Sequence, residues 1–238
     1  GAVRQWLCVV PPSVLRGRTD AARLYADVRT LLAYVPRPTS LEFREIGTAL
    51  TAAVADEVVR AGSALASLSF DRTCVSDAAA EIFARCGTNT RLSFAGHVHQ
   101  HGSHAIVSGR GAIALVTCGA QLTHFNVSVT NDSITDATLW VLSQHCPQLQ
   151  HLVAGRVTDQ GLIAVAHRCP GLTHLDVASI GGAVTDKALQ EVARHCPKLQ
   201  FLNATNNTGV SDLSIAEIAR CCSQLQHLLV SVWQVSDE

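Results

Sequence analysis

In Leu172-Thr173-His174-Leu175-Asp176-Val177, apolar Leu175 and Val177 alternate with polar neighbours, a period of two that predicts a short strand. Further on, Leu189, Val192, Ala193 and Cys196 follow Thr185-Asp186 in steps of three and four, which places them on one face of a helix. The Ser/Thr-Asp pair supplies an N-cap oxygen for the unpaired first amides, and Pro197 discourages helix beyond Cys196. One unit is therefore strand, turn, helix, turn.

The unit recurs. Cys146-Pro147-Gln148-Leu149, Cys169-Pro170-Gly171-Leu172, Cys196-Pro197-Lys198-Leu199 and Cys222-Ser223-Gln224-Leu225 stand 23, 27 and 26 residues apart. Val75-Ser76-Asp77, Ile134-Thr135-Asp136, Val157-Thr158-Asp159, Val184-Thr185-Asp186, Val210-Ser211-Asp212 and Val235-Ser236-Asp237 keep the same beat, the mark of a repeat array. Upstream, Leu65, Leu68 and Phe70 lead into Val75-Ser76-Asp77 and Cys86 as a good unit, whereas Leu92 and Phe94 open one that lacks the capping motif. Leu41 and Phe43 begin another unit, and Leu7 and Val9 with Thr19-Asp20 a degenerate first one, about eight units with a truncated ninth. One unit cannot bury its own apolar stripe, but stacked units share a continuous core.

The pattern Cys-Pro-x-Leu-x-x-Leu-x-aliphatic, then Val-Thr-Asp-x-x-Leu-x-x-aliphatic-Ala-x-x-Cys, resembles the cysteine-containing leucine-rich repeat of F-box proteins, most fully from about residue 119 onward. The resemblance implies an α/β leucine-rich-repeat solenoid, a horseshoe with a parallel sheet on its concave face and helices on its convex face. It also implies the substrate-recognition subunit of an F-box, cullin-type ubiquitin ligase. Residues 1–35 carry no F-box-like segment. The leading expectation is therefore a non-catalytic interaction scaffold, a structural subunit of a large ciliary or other cytoskeletal assembly; the regulatory arm of an enzyme is a third, distant reading. Residues 1–238 form a single array on this view, degenerate over 1–118 and regular over 119–238.

Composition narrows the partners. A chain that is 47% hydrophobic and 16% charged can bury a large core. A net charge of -1 offers no basic field for phosphate, so nucleic acid is not expected. No window approaches the ~18 consecutive apolar residues of a membrane span. The 9 cysteines include no Cys-x-x-Cys pair and are odd in number, which points to reduced thiols in a cytoplasmic compartment. Cys146, Cys169, Cys196 and Cys222 recur at the helix end, where packing explains them better than metal or redox work. The sequons at Asn126, Asn131, Asn203 and Asn206 are read as chance. Lacking Met, opening at Gly1 and stopping where a helix should begin, the chain reads as part of a longer one.

For catalysis, no nucleophile with base and orienter emerges, and Asp77, Asp136, Asp159, Asp186 and Asp212 are assigned to helix capping. No enzyme activity, cofactor or metal is expected. His97, His99, His101 and His104 could share a strand face as metal ligands, yet Gly96, Gly102, Gly109 and Gly111 surround them, so a solvated loop is expected. Gly109-Arg110-Gly111 is read as a turn. Aligned units place His124, His151, His174, Phe201 and His227 at one position, just before the second core aliphatic and so pointing away from the core. They should form a column on the concave face at roughly 4.8 Å spacing, beside a second row of Asn126, Val153, Asp176, Asn203 and Leu229. Such a mixed surface suits other proteins as partners, with the histidine column, Phe201, Asn126, Asp176 and Asn203 as contact residues. The competing account is that duplication copied the histidines without selection for binding. Phe201 is expected to be exposed and idle in the fold.

Overall fold

The computed structural model describes residues 7–10, 21–34, 38–44, 50–61, 65–71, 73–85, 90–94, 107–127, 134–178 and 182–231. The chain divides into two compact units, Gly1–Leu122 with Val129–Ser133 and Thr123–Ser128 with Ile134–Glu238.

In the first unit, strands β1 (Leu7–Val10), β2 (Ser40–Arg44), β3 (Ser67–Asp71) and β4 (Arg91–Ser93) pair in parallel and in chain order. Helices α1 (Ala21–Tyr34), α2 (Ala52–Ala61) and α3 (Asp77–Ala84) lie between successive strands, and α4 (Gly109–Thr117) follows β4. Parallel neighbours need such crossovers. The register sets Leu41 beside Leu68, Leu68 beside Leu92, and Phe43 beside Phe70. All of these are buried, as is Phe94. Phe43 and Phe70 stack with centroids 5.6 Å apart, and Phe70 and Phe94 at 5.2 Å, so aromatic rings form the spine of this core.

The reading of Gly109-Arg110-Gly111 as a turn is overturned. Ser108 caps a helix that begins at Gly109, its hydroxyl accepting from Gly111 N–H at 3.1 Å. Val107-Ser108-Gly109 is the capping motif with Asp replaced by Gly, and Ser108 donates to Asp77 of the preceding helix at 2.5 Å. Glycine fits at 111 because a Cβ there would stand 3.1 Å from Asp77 Oδ1 and 3.2 Å from Ala80 Cβ.

The second unit repeats the plan. Strands β5 (His124–Val127), β6 (His151–Ala154), β7 (His174–Asp176), β9 (Phe201–Asn203) and β11 (His227–Leu229) form one parallel set, with helices α5 (Asp136–His145), α6 (Asp159–Arg168), α7 (Asp186–His195) and α8 (Asp212–Cys221) as the crossovers. Leu152, Leu175 and Leu202 align and are 0% exposed, so the strand phase is the one the alternation predicts. A feature absent from the sequence reading is a second parallel pair, β8 (Gly182–Thr185) with β10 (Asn207–Gly209). It occupies the extra length of the two longer repeats. Asn207 within it is fully buried and bridges neighbouring repeats of the second unit: its Nδ2 donates to Val177 O at 2.9 Å and its Oδ1 accepts from Val184 N–H at 3.3 Å.

Capping is more than each helix serving itself. Thr158, Thr185 and Ser211 accept from the amides of Gln160, Lys187 and Leu213. The following aspartate, expected to share that task, serves the next repeat. Asp136 accepts from Thr158 N–H at 2.9 Å and from its hydroxyl at 2.5 Å. Asp159 takes Thr185 at 2.8 and 2.6 Å, and Asp186 takes Ser211 at 2.7 and 2.5 Å. Burial works to raise the Asp186 pKa, but the bonds from Ser211 and Ser214 outweigh it and hold the carboxyl below its ordinary range.

At the other helix end Cys146, Cys169, Cys196 and Cys222 are the C-cap residues and are buried. The Cys169 thiol donates to Cys146 O at 3.5 Å, Cys196 to Cys169 O at 3.7 Å and Cys222 to Cys196 O at 3.8 Å. Burial pushes Cys146 and Cys196 up to about 12 and Cys169 and Cys222 to about 11, so all four stay protonated donors at neutral pH. Among the described residues no helix is long and apolar enough to cross a membrane.

Candidate functional site

The strand register assembles the histidine column in the second unit. His124 pairs with His151, His151 with His174, His174 with Phe201 and Phe201 with His227. Ring centroids are separated by 4.9, 3.7, 4.0 and 6.1 Å in that order. His151 meets His174 edge to face at 84°, and His174 lies flat on Phe201 at 5°. Thr123 Oγ1 stands 2.8 Å from His124 Nδ1 and anchors the first ring. The column lines a shallow groove of about 340 Å³.

Contact within the column changes what its members are. Phe201 is half-buried against His174, so the expected idle, exposed aromatic is instead part of a stack. The reason is geometric: at strand spacing, planar side chains in register fall within contact of each other. Burial lowers the His174 pKa, with the nearby Asp176 carboxylate pulling the other way. The ring is thus neutral at pH 7.

In the second row, Asn203 Nδ2 donates to Asp176 Oδ2 at 3.1 Å. Asp176 also accepts from Ala178 N–H, and Asn203 Oδ1 from Thr205 N–H and hydroxyl. Both side chains therefore hold the turns leaving their strands, as well as facing the open side of the sheet. Asn126 and Val153 pair in the same register and are half-buried, while Leu229 is 44% exposed. Of the other sequons, Asn206 is exposed in a left-handed turn at φ 64°; Asn131 and the His97–His104 run lie outside the described residues.

Sequence reasoning missed the third row. Gln150, Thr173, Gln200 and Gln226 also line the groove, one residue before each of the last four rings. The signal was present as the recurring polar residue after Leu149, Leu172, Leu199 and Leu225. In the first unit the ring position is held by Leu7, Ser40, Ser67 and Arg91, so the aromatic column belongs to the second unit.

A second group, on the helices, was not anticipated either. His167 Nε2 lies 2.8 Å from Glu191 Oε2 and His195 Nδ1 3.6 Å from the same oxygen. Glu191 Oε1 is held by Arg194 at 3.0 Å. The hydrogen bond from His167, opposed by desolvation and aided by Arg194, holds the Glu191 carboxyl below its ordinary range.

No family model and no curated protein matches this chain. Two solved structures are similar to it over most of its length. The crystal structure of the Rad7 and Elc1 complex in yeast superposes with a TM-score of 0.60 at 15% identity, covering 89% of this chain and 62% of that one. An internalin (inlF) from Listeria monocytogenes superposes with a TM-score of 0.55 at 17% identity, covering 88% of this chain and 65% of that one. The chain thus spans a little under two thirds of either. At these identities the likeness is one of fold, and with the strand and helix order it defines the class: an α/β leucine-rich-repeat solenoid, parallel sheet on one face and helices on the other.

Proposed function

We propose that the chain is a non-catalytic protein-interaction scaffold that receives its partner on the open face of the second unit's sheet. The observation that carries this reading is the stacked column from His124 to His227, with its contiguous ring contacts and bordering row of Gln150, Gln200 and Gln226. Rigid rings offer large contact area at little entropy cost, while the imidazoles and carboxamides can donate or accept hydrogen bonds. A polypeptide segment carrying apolar and polar side chains is the matching ligand. Burial and neutrality of His174 fit a surface made for packing rather than proton transfer.

The partner-bound state is taken to be a larger multiprotein assembly in the cytosol or cytoskeleton, a cilium included. The similar yeast protein, Rad7, was crystallised as a complex with Elc1. The cysteine-containing repeat pattern supports the alternative of an F-box, cullin-type ligase receptor, and recovery of a cullin adaptor with the full-length protein would decide for it. Buried, protonated helix-end thiols agree with a reducing compartment.

A photo-crosslinking residue placed at His151 and, separately, at Lys187 on the exposed helix side tests the face used. Crosslinks to a partner only from the His151 position are expected. The double substitution His151→Ala, Phe201→Ala should weaken the recovered complex by about 1–3 kcal/mol. Because Phe201 is stacked, it should also lower folding stability by roughly 0.5–1.5 kcal/mol, so affinity is measured well below the unfolding midpoint. Crosslinks only from Lys187, or unchanged affinity in the double variant, would sink the proposal.

A further inference from the structure

The imidazoles of His167 on α6 and His195 on α7 converge on one carboxylate, Glu191, on the helix side of the second unit. The cap ladder and the sheet groove use none of the three. Glu191 and His195 are one turn apart on α7 and share a face, and His167 reaches them from the preceding repeat. Each contributes one ligand atom, and these atoms all lie within 4.8 Å of one another. We propose that His167, Glu191 and His195 form a binding site for a divalent transition-metal ion of the zinc class.

The donor set fits that ion. Two imidazoles with one carboxylate suit zinc, cobalt, nickel or copper, whereas calcium and magnesium take oxygen ligands. Bonds of about 2.0–2.1 Å in a tetrahedron put neighbouring ligand atoms roughly 3.3 Å apart. Two edges stand at 2.8 and 3.6 Å, on either side of that value, and the third, between the imidazoles, is within 4.8 Å. Arg194 grips the other Glu191 oxygen at 3.0 Å and Glu217 at 3.1 Å, which orients the carboxylate as an outer partner should. The side chains of His167, Glu191 and His195 are 47%, 24% and 42% exposed, open enough for an ion to enter from solvent. Three protein ligands leave a fourth position for water or a donor from a partner.

Three features oppose binding and keep it moderate, the first being the proton that His167 Nε2 donates to Glu191 Oε2 at 2.8 Å, which must leave that nitrogen before it can bind. The Arg194 charge repels a cation. His195 Nδ1 also faces the Glu191 main-chain oxygen at 3.0 Å, a bond that places the proton on Nδ1; binding there shifts the proton to Nε2. The bound ion would cross-link the helices of adjacent repeats.

The test uses the full chain with His97, His99, His101 and His104 replaced by Ala, kept reduced, so that this run cannot supply ligands. Zinc is titrated by calorimetry and by thermal melts, and cobalt by its visible spectrum. One equivalent of zinc is expected to bind and to raise the unfolding midpoint, with a cobalt spectrum free of thiolate bands. His167→Ala and Glu191→Gln should each weaken binding at least about tenfold and abolish the rise in midpoint. Should one variant unfold, the other decides, since they lie on different helices. Equal zinc isotherms for a folded variant and its parent, or thiolate bands with cobalt, would overturn the proposal.

Discussion

His174 sits between an edge-on imidazole at 3.7 Å and a flat phenyl ring at 4.0 Å, and this confinement gives it a measurable signature. Its folded pKa is below the ordinary 6.5, so the unfolded chain takes up the proton first on acidification. The stability it contributes is present above 6.5 and is lost as pH falls through the folded value. The groups facing it are His151 and Phe201 from adjacent strands and Asp176 on its own. The unfolding midpoint should therefore drop between pH 7 and 5.5, and less steeply in His174→Gln; identical slopes in a pH series of thermal melts would refute this. Side-chain direction was legible at this scale because strand alternation fixes it, and so the column could be listed from sequence by repeat alignment alone. Ring-on-ring contact was not, since it depends on rotamers chosen against the neighbouring strand. That is why Phe201 read as idle, and why Asp176 and Asn203 read as open contacts although they also brace turns.

At the start of each helix from α3 to α8 the third residue is small and buried: Ala79, Gly111, Thr138, Gly161, Ala188 and Ser214. At Gly111 and Gly161 the cause is the approach of the preceding aspartate, Asp77 and Asp136. A Cβ on Gly161 would stand 2.5 Å from Asp136 Oδ1 and 3.0 Å from its Cα, so Gly161→Ala must push the carboxylate off Thr158. A loss of about 1–3 kcal/mol in urea unfolding is expected, despite the better helix propensity of alanine. A neutral or stabilising result would show that the contact is slack. The motif Val/Ile-Ser/Thr-Asp was legible as a cap because its residue types have that chemistry. Its second bond, to the following repeat, joins groups more than twenty residues apart and leaves no local trace. The same blindness hid α4, where Gly109 replaces the aspartate but Ser108 still caps, and the β8–β10 pair, whose partners are four and three residues long.

Across the chain the repeat fold was the most legible property, since strand and helix periods, cap and cysteine all return in the same order and each position is tested several times over. The aromatic spine of Phe43, Phe70 and Phe94 shows why the earlier repeats read as degenerate while keeping the same register: the inward position is retained and only its occupant changes. The cysteines let the whole array be assayed at once. Cys118, which is exposed, should react with iodoacetamide under native, non-reducing conditions, whereas Cys146, Cys169, Cys196 and Cys222, held protonated by burial, should resist until denaturant is added and then label fully. Labelling that stays incomplete in denaturant would mean disulfides and would refute the reduced-thiol reading.

The aspartate bonds of the second unit all run one way: the carboxylate comes from the earlier repeat, the hydroxyl and amide from the later one. Every internal junction is therefore a plug meeting a socket, and each repeat carries one of each. Such parts are interchangeable along the array but cannot be reversed. A repeat spliced in between α6 and α7 needs only a Ser/Thr for the carboxylate before it and an Asp for the hydroxyl after it, whatever the length of the loop that carries its strand. The differing repeat lengths within this one chain, 23, 27 and 26 residues, are consistent with that freedom.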